Sequence, residues 1–168
     1  MAYYFNANEM FEMAIRIEEN GARFYRKAAG FQSDSSNRQM LEKLAIMEDH
    51  HQTVFKEMRK GLSEADKTAT VFDPQNEASQ YLSVMADAHG GEGSPAAADS
   101  LSGKESIAEI VDIAIGLEKE SILFYIGLKD IIPPHYGQEK LEKIIKEERK
   151  HVVQLNALRK KIIRWDAK

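Results

Sequence analysis

Apolar residues recur at every third or fourth position in four long segments of the chain, and this spacing predicts amphipathic α-helices. The first segment starts at Asn8, an expected N-cap, and the second ends at Gly61, a natural helix stop. The other two segments lie in the second half of the chain, separated by Pro133 and Pro134, which a helix interior does not accept. No segment alternates apolar and polar residues at period two, so strands are not expected.

The connections predict how the four helices are arranged. Short turns after the first and third helices make two antiparallel hairpins, 8–61 and 104–166. Residues 62–103 are long enough to run the whole length of a bundle, so one long crossover joins helices two and three. We therefore expect an all-α, antiparallel four-helix bundle built as a single domain over residues 1–168.

Two features are expected within the crossover and one at its end. The Asp73-Pro74 pair predicts the start of a short helix. Residues 89–103 are rich in glycine, alanine and serine and predict a linker. Ser102 and Glu105 match a capping box, which predicts that the third long helix begins there.

The two halves of the chain repeat each other at an offset of 100 residues. Residues 14–25 align without gaps on 114–125, and residues 41–60 align on 141–160. Because the aligned segments belong to different hairpins, the repeat predicts a pseudo-two-fold axis between the hairpins.

Both halves place acidic and imidazole side chains where the helical stripes should be apolar. Burying an unpaired carboxylate is costly, and four of them at mid-bundle would raise one another's pKa. No lysine or arginine lies on the stripes at that level, whereas two divalent cations would balance four carboxylates. The predicted metal ligands are Glu18, Glu48, His51, Glu118, Glu148 and His151.

The spacing of the motifs indicates how these ligands would be shared. Glu48 with His51, and Glu148 with His151, are three residues apart, so each pair leaves one helix face on successive turns. Each pair would serve one metal together with a lone glutamate, and Glu48 and Glu148 would also bridge to the other metal. Mixed carboxylate and imidazole donors suit iron or manganese, allow zinc, and disfavour calcium and magnesium.

Two Glu-x-x-His motifs and two lone glutamates are the ligand pattern of di-iron carboxylate bundles. With ARFYRKAA at 22–29 after Glu18, the chain resembles the rubrerythrin branch of the ferritin-like superfamily over both hairpins. The resemblance implies a ferritin-like bundle in which the six residues hold two iron ions. It also implies a peroxidase that reduces hydrogen peroxide or dioxygen under oxidative stress, with electrons from an external donor such as rubredoxin.

The chain departs from the rubrerythrin pattern in two places. The sequence has no cysteine, so it lacks the cysteine-ligated rubredoxin module of rubrerythrins. Ser121 stands one turn after Glu118, where rubrerythrins carry an additional glutamate that takes part in iron movement during peroxide reduction.

Other polar and aromatic residues near the stripes have simpler expected roles. Tyr25 and Tyr125 lie two turns after the lone glutamates, where core packing is expected and a hydrogen bond to a ligand carboxylate is the alternative. Surface positions are expected for Glu19, Glu120, Glu147, His50, His89 and His135.

Composition and charge exclude several classes of function. The formal charge of −4 offers no basic face for nucleic acid, and no apolar run is long enough to span a membrane. The start of the chain lacks the pattern of a secretion signal, so the cytoplasm is expected. The aromatic residues Tyr3, Tyr4 and Phe5 offer a surface for a second copy, which predicts a homo-oligomer, with a dimer as its simplest form.

Two alternatives to a peroxidase use the same bundle. A ferroxidase that binds and stores iron would have the same ligands, and it would assemble into a large hollow particle. A bundle with a purely structural metal site, or with no metal, would act through partner proteins instead.

Overall fold

The computed structural model describes residues 7–64, 67, 96–132 and 137–166, and within these ranges the chain forms five α-helices and no strand. The helices are α1 (Ala7–Gly30), α2 (Ser35–Lys60), α3 (Ala96–Ser100), α4 (Ile107–Ile131) and α5 (Gln138–Asp166). The all-α prediction is confirmed. The short helix predicted after Asp73, the turn at Pro133 and Pro134, and the aromatic residues at 3–5 lie outside the described residues.

The ends of α2 follow the local sequence, whereas the start of α1 does not. The side chain of Asp34 caps α2 by accepting a hydrogen bond from the backbone N–H of Asn37 at 2.8 Å, and Gly61 is the C-cap. α1 already includes Asn8, so the predicted N-cap is wrong. The Asn8 side chain instead accepts a hydrogen bond from Arg59 Nε at 2.8 Å, which ties the start of α1 to the end of α2.

The predicted start of the third long helix is also wrong, because the helix begins at the second of two Ser-x-x-Glu sequences. The Glu105 side chain does accept from the Ser102 N–H, as in a capping box, but Ser102 Oγ accepts from the Lys104 N–H. The chain stays non-helical here because Gly103 has a φ of 82°. The helix begins after the next Ser-x-x-Glu sequence, where Ser106 is the N-cap and Glu109 completes the box. Two consecutive Ser-x-x-Glu sequences cannot be distinguished by pattern alone.

α3 lies where the sequence predicted a linker. Its small residues Ala97 and Ala98 are buried, and α3 packs against α1. The carbonyl oxygen of Ala98 accepts a hydrogen bond from Lys27 Nζ at 2.9 Å, and Arg23 of α1 pairs with Asp99. The short side chains of the alanines allow α3 to lie close to α1. The composition of the segment alone indicates only a linker.

Two apolar clusters show which helix ends lie together. One cluster contains Phe11 from the start of α1, Phe55 from the end of α2, Leu128 from the end of α4 and Leu141 from the start of α5. The other contains Ala28 from the end of α1, Leu41 from the start of α2, Ile110 from the start of α4 and Leu155 from the later part of α5. α1 is therefore antiparallel to α2 and α4, and α2 runs parallel to α4. The connection from α2 to α4 must return along the bundle, as the predicted single crossover requires.

The most extensive helix packing lies within the pairs α1–α2 and α4–α5, which are the two hairpins. Between the two apolar clusters, a layer of polar side chains crosses the bundle. None of the helices in the described ranges combines the length and apolar character needed to cross a membrane.

Candidate metal centre

Six titratable side chains form the polar layer, and each is at most 1% exposed. They are Glu18 from α1, Glu48 and His51 from α2, Glu118 from α4, and Glu148 and His151 from α5. The structure thus brings together all six residues that the sequence singled out. Their burial follows from helical periodicity, since each shares a helix face with apolar core residues three, four or seven positions away.

The six side chains form two overlapping groups whose donor atoms lie within 4.8 Å of one another. The first group contains Glu18, Glu48, His51 and Glu148, and the second contains Glu48, Glu118, Glu148 and His151. Glu48 and Glu148 belong to both groups. The remaining four residues belong to one group each, with one lone glutamate and one histidine on either side.

The shared carboxylates direct one oxygen to each imidazole. Glu148 Oε1 lies 2.8 Å from His51 Nδ1, and Glu148 Oε2 lies 2.9 Å from His151 Nδ1. Glu48 repeats the arrangement, with Oε2 at 3.4 Å from His51 Nδ1 and Oε1 at 3.4 Å from His151 Nδ1. The imidazole rings stack with their centroids 5.9 Å apart and an interplanar angle of 24°. Both shared carboxylates are therefore oriented to bridge two positions.

Several of these buried atoms have no hydrogen-bond partner within the described part of the chain. They are Glu18 Oε2, both carboxylate oxygens of Glu48 and of Glu148, and Nδ1 of His51 and of His151. The imidazole nitrogens and the carboxylates are close, but the contacts lack hydrogen-bond direction. Buried polar atoms are almost always paired, so a convergent set of unpaired oxygen and nitrogen donors fits a bound cation.

The electrostatics of the cluster also demand positive charge. Burial raises the pKa of Glu18 well above its usual value, and the negative charges of Glu148 and Glu48 raise it further. No lysine or arginine pairs with any of these three carboxylates among the described residues. Additional charge must come from the histidines or from metal ions.

The histidines supply that charge when no metal is bound. Burial lowers the pKa of His151, but the carboxylates of Glu118, Glu148 and Glu48 outweigh it and raise the pKa to about 12. Burial also lowers the pKa of His51, but the carboxylates of Glu148, Glu18 and Glu48 outweigh it and raise the pKa well above its usual value. Burial raises the pKa of Glu148, but the close contacts with His151 and His51 outweigh burial and lower the pKa below its usual value. In the metal-free protein, imidazolium protons therefore occupy the place of cations.

Tyr25 and Tyr125 connect the polar layer across the two hairpins. The Tyr25 hydroxyl donates to Glu118 Oε1, and the Tyr125 hydroxyl donates to Glu18 Oε1. Both rings are also fully buried, so the expected packing role and the alternative hydrogen bond are both present. Each tyrosine orients a glutamate that belongs to the other half of the repeat.

Two of the glutamates predicted to lie on the surface are only partly exposed. Glu147 Oε2 lies 2.8 Å from His51 Nε2, and the Glu147 side chain is 37% exposed. Glu120 is half-buried, with Oε2 inaccessible, and burial raises its pKa. The sequence offered Glu147 as a competing ligand, because it lies four residues before His151, but Met47 at the equivalent position favoured the surface. Its contact with His51 was not predicted, because His51 is on the other hairpin and no spacing within α5 reveals it. Glu19 and His50 are exposed as expected, whereas His89 and His135 lie outside the described residues.

The fold is found in solved structures. A protein from Thermotoga maritima, described as a ferritin-like diiron-carboxylate protein, matches with a TM-score of 0.71 and 23% identity, over 95% of this chain and 98% of that chain. A hypothetical protein from Pyrococcus furiosus matches with a TM-score of 0.69 and 19% identity, over 96% and 92% of the two chains. No protein-family model matches the sequence, and no curated protein is significantly similar to it.

These likenesses identify the fold as a ferritin-like helical bundle, as the sequence predicted. The site itself rests on the geometry of this chain. A buried cluster of four carboxylates and two imidazoles, with unpaired donor atoms directed inward, has the chemistry of a metal centre.

Proposed function

We propose that the protein is a non-haem di-iron oxidoreductase that reduces hydrogen peroxide or dioxygen, similar to rubrerythrin peroxidases. One observation carries the proposal: two buried donor groups overlap in Glu48 and Glu148, whose oxygens each face a different histidine. This is the arrangement that a pair of adjacent ions requires, because a single structural ion would leave one glutamate and one histidine unused.

The donor set supports two divalent ions of the iron or manganese type, with zinc as a further candidate. Glu18 and His51 would serve one position, Glu118 and His151 the other, with Glu48 and Glu148 shared between them. The four negative charges of the carboxylates would then balance the four positive charges of two divalent ions. Two bound ferrous ions would supply the two electrons that reduction of peroxide to water consumes.

The surrounding residues favour a small oxidant over an organic substrate. All six donors are at most 1% exposed, and apolar clusters close the bundle above and below them. Tyr25 and Tyr125 hold Oε1 of Glu118 and of Glu18 in place, so these carboxylates keep their orientation without help from water. Only a molecule about the size of peroxide or dioxygen suits a site of this kind.

The rubrerythrin analogy is limited at one position. Ser121 stands where the resemblance leads one to expect an additional glutamate, and its buried hydroxyl donates to the Leu117 carbonyl oxygen at 3.2 Å. The proposal therefore does not include the iron movement associated with that glutamate.

The electrons for repeated turnover would come from a separate redox centre. The 168 residues include no cysteine, so a cysteine-ligated centre such as that of rubredoxin would have to belong to another protein or segment. We propose that the protein acts in the cytoplasm as a homodimer. A dimer-sized particle in gel filtration would support this assembly over the hollow shell that iron storage needs.

Anaerobic loading with Fe(II), followed by stopped-flow mixing with peroxide or dioxygen, tests the reaction. We expect one peroxide to oxidise two ferrous ions per chain and release two waters with two protons consumed. The Glu48→Ala variant, which lacks a shared carboxylate, should oxidise iron no faster than free Fe(II), whereas Glu19→Gln should match the parent. Oxidation by dioxygen that continues far beyond two ions per chain would favour storage, and no accelerated oxidation with either oxidant would overturn the proposal.

A further inference from the structure

The two halves of the metal centre differ at the outer nitrogens of their histidines. Nε2 of His51 contacts Glu147 Oε2 at 2.8 Å. Nε2 of His151 is buried and has no hydrogen-bond partner among the described residues. The repeat explains the difference, because the position equivalent to Glu147 in the first half is Met47.

The contact with Glu147 prepares His51 to bind a metal ion through Nδ1. Nδ1 faces the shared carboxylates, so the neutral ring must carry its proton on Nε2 if Nδ1 is to donate a lone pair. Glu147 Oε2 accepts a hydrogen bond from that Nε2–H, which fixes the tautomer and the ring orientation and makes Nδ1 a stronger donor. The Glu147 side chain remains 37% exposed, whereas the His51 ring is buried.

His151 has no such support. Its Nδ1 also faces the shared carboxylates, at 2.9 Å from Glu148 Oε2. A proton on Nε2 would be buried without a strong acceptor, and the thioether of a methionine is only a weak one. The ring is therefore oriented by packing and by its contacts on the Nδ1 side alone.

We propose that Glu147 is a positioning residue that makes the two metal positions unequal. The position served by His51 binds its ion more tightly and fills first, and the position served by His151 fills second. This inference rests on the metal-binding part of the proposed function and is independent of the oxidant. Removing an acceptor behind a metal-bound histidine typically costs about 10–100-fold in affinity, which sets the expected difference.

Anaerobic titration of the metal-free protein with Co(II), followed by calorimetry and visible absorbance, measures both positions without oxidation. The parent should show two steps whose dissociation constants differ by about 10–100-fold. Glu147→Ala should weaken the first step by a similar factor, so that the steps merge. Glu147→Gln should restore part of the difference because its amide oxygen still accepts a hydrogen bond from His51 Nε2–H.

The repeat offers a gain-of-function variant. Met47→Glu places a carboxylate at the equivalent position behind His151, and it should strengthen the second step while leaving the first unchanged. Glu19→Gln is the matched control, since Glu19 adjoins Glu18 as Glu147 adjoins Glu148 but is exposed. Circular dichroism of each variant verifies that the fold is retained.

The outcomes separate this inference from the proposed function. Two equal steps in the parent, or an equal weakening of both steps in Glu147→Ala, would overturn the inference and leave a two-metal site standing. Failure of the parent to bind Co(II) at all would overturn both. Merged steps in Glu147→Ala, together with a stronger second step in Met47→Glu, would support the assignment of Glu147.

Discussion

Tyr125, on the second hairpin, donates its phenolic hydrogen to a carboxylate oxygen of Glu18, on the first hairpin. The reciprocal hydrogen bond joins Tyr25 of the first hairpin to Glu118 of the second. The two hydrogen bonds cross the interface between α1 and α4 on opposite sides of the metal centre, since each tyrosine belongs to a different apolar cluster. They link the stability of the bundle to the orientation of the proposed ligands.

Tyr125→Phe should therefore destabilise the protein without abolishing metal binding. The substitution removes one donor to a buried carboxylate and leaves the ring packing with Phe55 intact. A lost hydrogen bond of this kind costs about 1–3 kcal/mol. Denaturant unfolding of the metal-free protein measures the loss, and Tyr25→Phe should give a similar value. A change below about 0.5 kcal/mol in both variants would show that the hydrogen bonds do not stabilise the bundle.

Glu18→Gln should have opposite effects on the metal-free and the metal-loaded protein. Burial, with the charges of Glu148 and Glu48, raises the Glu18 pKa, so a neutral amide relieves an unfavourable charge in the metal-free form. The amide oxygen can still accept from Tyr125. We expect the free energy of unfolding without metal to rise by about 1 kcal/mol or more, and the stabilisation gained on adding Fe(II) or Mn(II) to fall.

Thermal unfolding with and without metal measures both effects of Glu18→Gln: the stability of the metal-free protein and the stabilisation that metal adds. Glu19→Gln removes the same charge from the neighbouring exposed position and serves as the control. A destabilised metal-free Glu18→Gln variant would contradict the view that the empty site is electrostatically strained.

Shared and unshared carboxylates should differ in metal stoichiometry. Glu148 belongs to both donor groups, whereas Glu118 belongs to one. Glu148→Ala should therefore lose both ions, and Glu118→Ala should retain close to one ion per chain. Elemental analysis after loading and gel filtration gives the numbers directly. Equal stoichiometry for the two variants would contradict the overlap of the groups.

Metal loading should release protons, and metal affinity should increase with pH. His151 has a pKa of about 12 in the metal-free protein because the carboxylates of Glu118, Glu148 and Glu48 outweigh the effect of burial. The ring is therefore protonated at neutral pH and must lose its proton to bind a metal ion. Calorimetric titration with Mn(II) in two buffers of different ionisation enthalpy counts the released protons. A count of zero would contradict this account.

The raised pKa of His151 also predicts how the stability of the metal-free protein changes with pH. The folded-state pKa lies above the usual value of 6.5, so the stabilisation from protonated His151 is fully present below that value and is lost as the pH rises through about 12. We expect the metal-free protein to lose stability between about pH 8 and pH 11, with the metal-loaded form less affected. Denaturant midpoints at several pH values measure the difference.

Helix periodicity and the repeat determined most of what the sequence could predict. An amphipathic stripe places every residue on a known face, so buried glutamates and histidines stand out against apolar neighbours. The repeat then linked the two halves, because Glu18, Glu48 and His51 each have a counterpart 100 residues later. Local signals were less decisive, as the choice between the Ser-x-x-Glu sequences at Ser102 and Ser106 shows.

The sequence predicted that ligands of the two hairpins meet, but it did not identify the partners of Glu147 and Tyr25 on the opposite hairpin. Glu147 contacts a histidine of α2, and Tyr25 contacts a glutamate of α4, so neither partner follows from spacing within one helix. Glu147 also lacks a counterpart in the repeat, where Met47 occupies the equivalent position. The repeat therefore identified the ligands that the two halves share, but not the role of a residue that occurs in one half only.

Anomalous diffraction from crystals of the Fe(II)-loaded protein tests the central claim most directly. Two ions held by overlapping carboxylate groups should give two anomalous peaks about 3.5–4 Å apart. Both peaks should lie between the carboxylates of Glu48 and Glu148, each next to one histidine Nδ1. A single peak in the polar layer, or peaks confined to the protein surface, would contradict a two-metal centre.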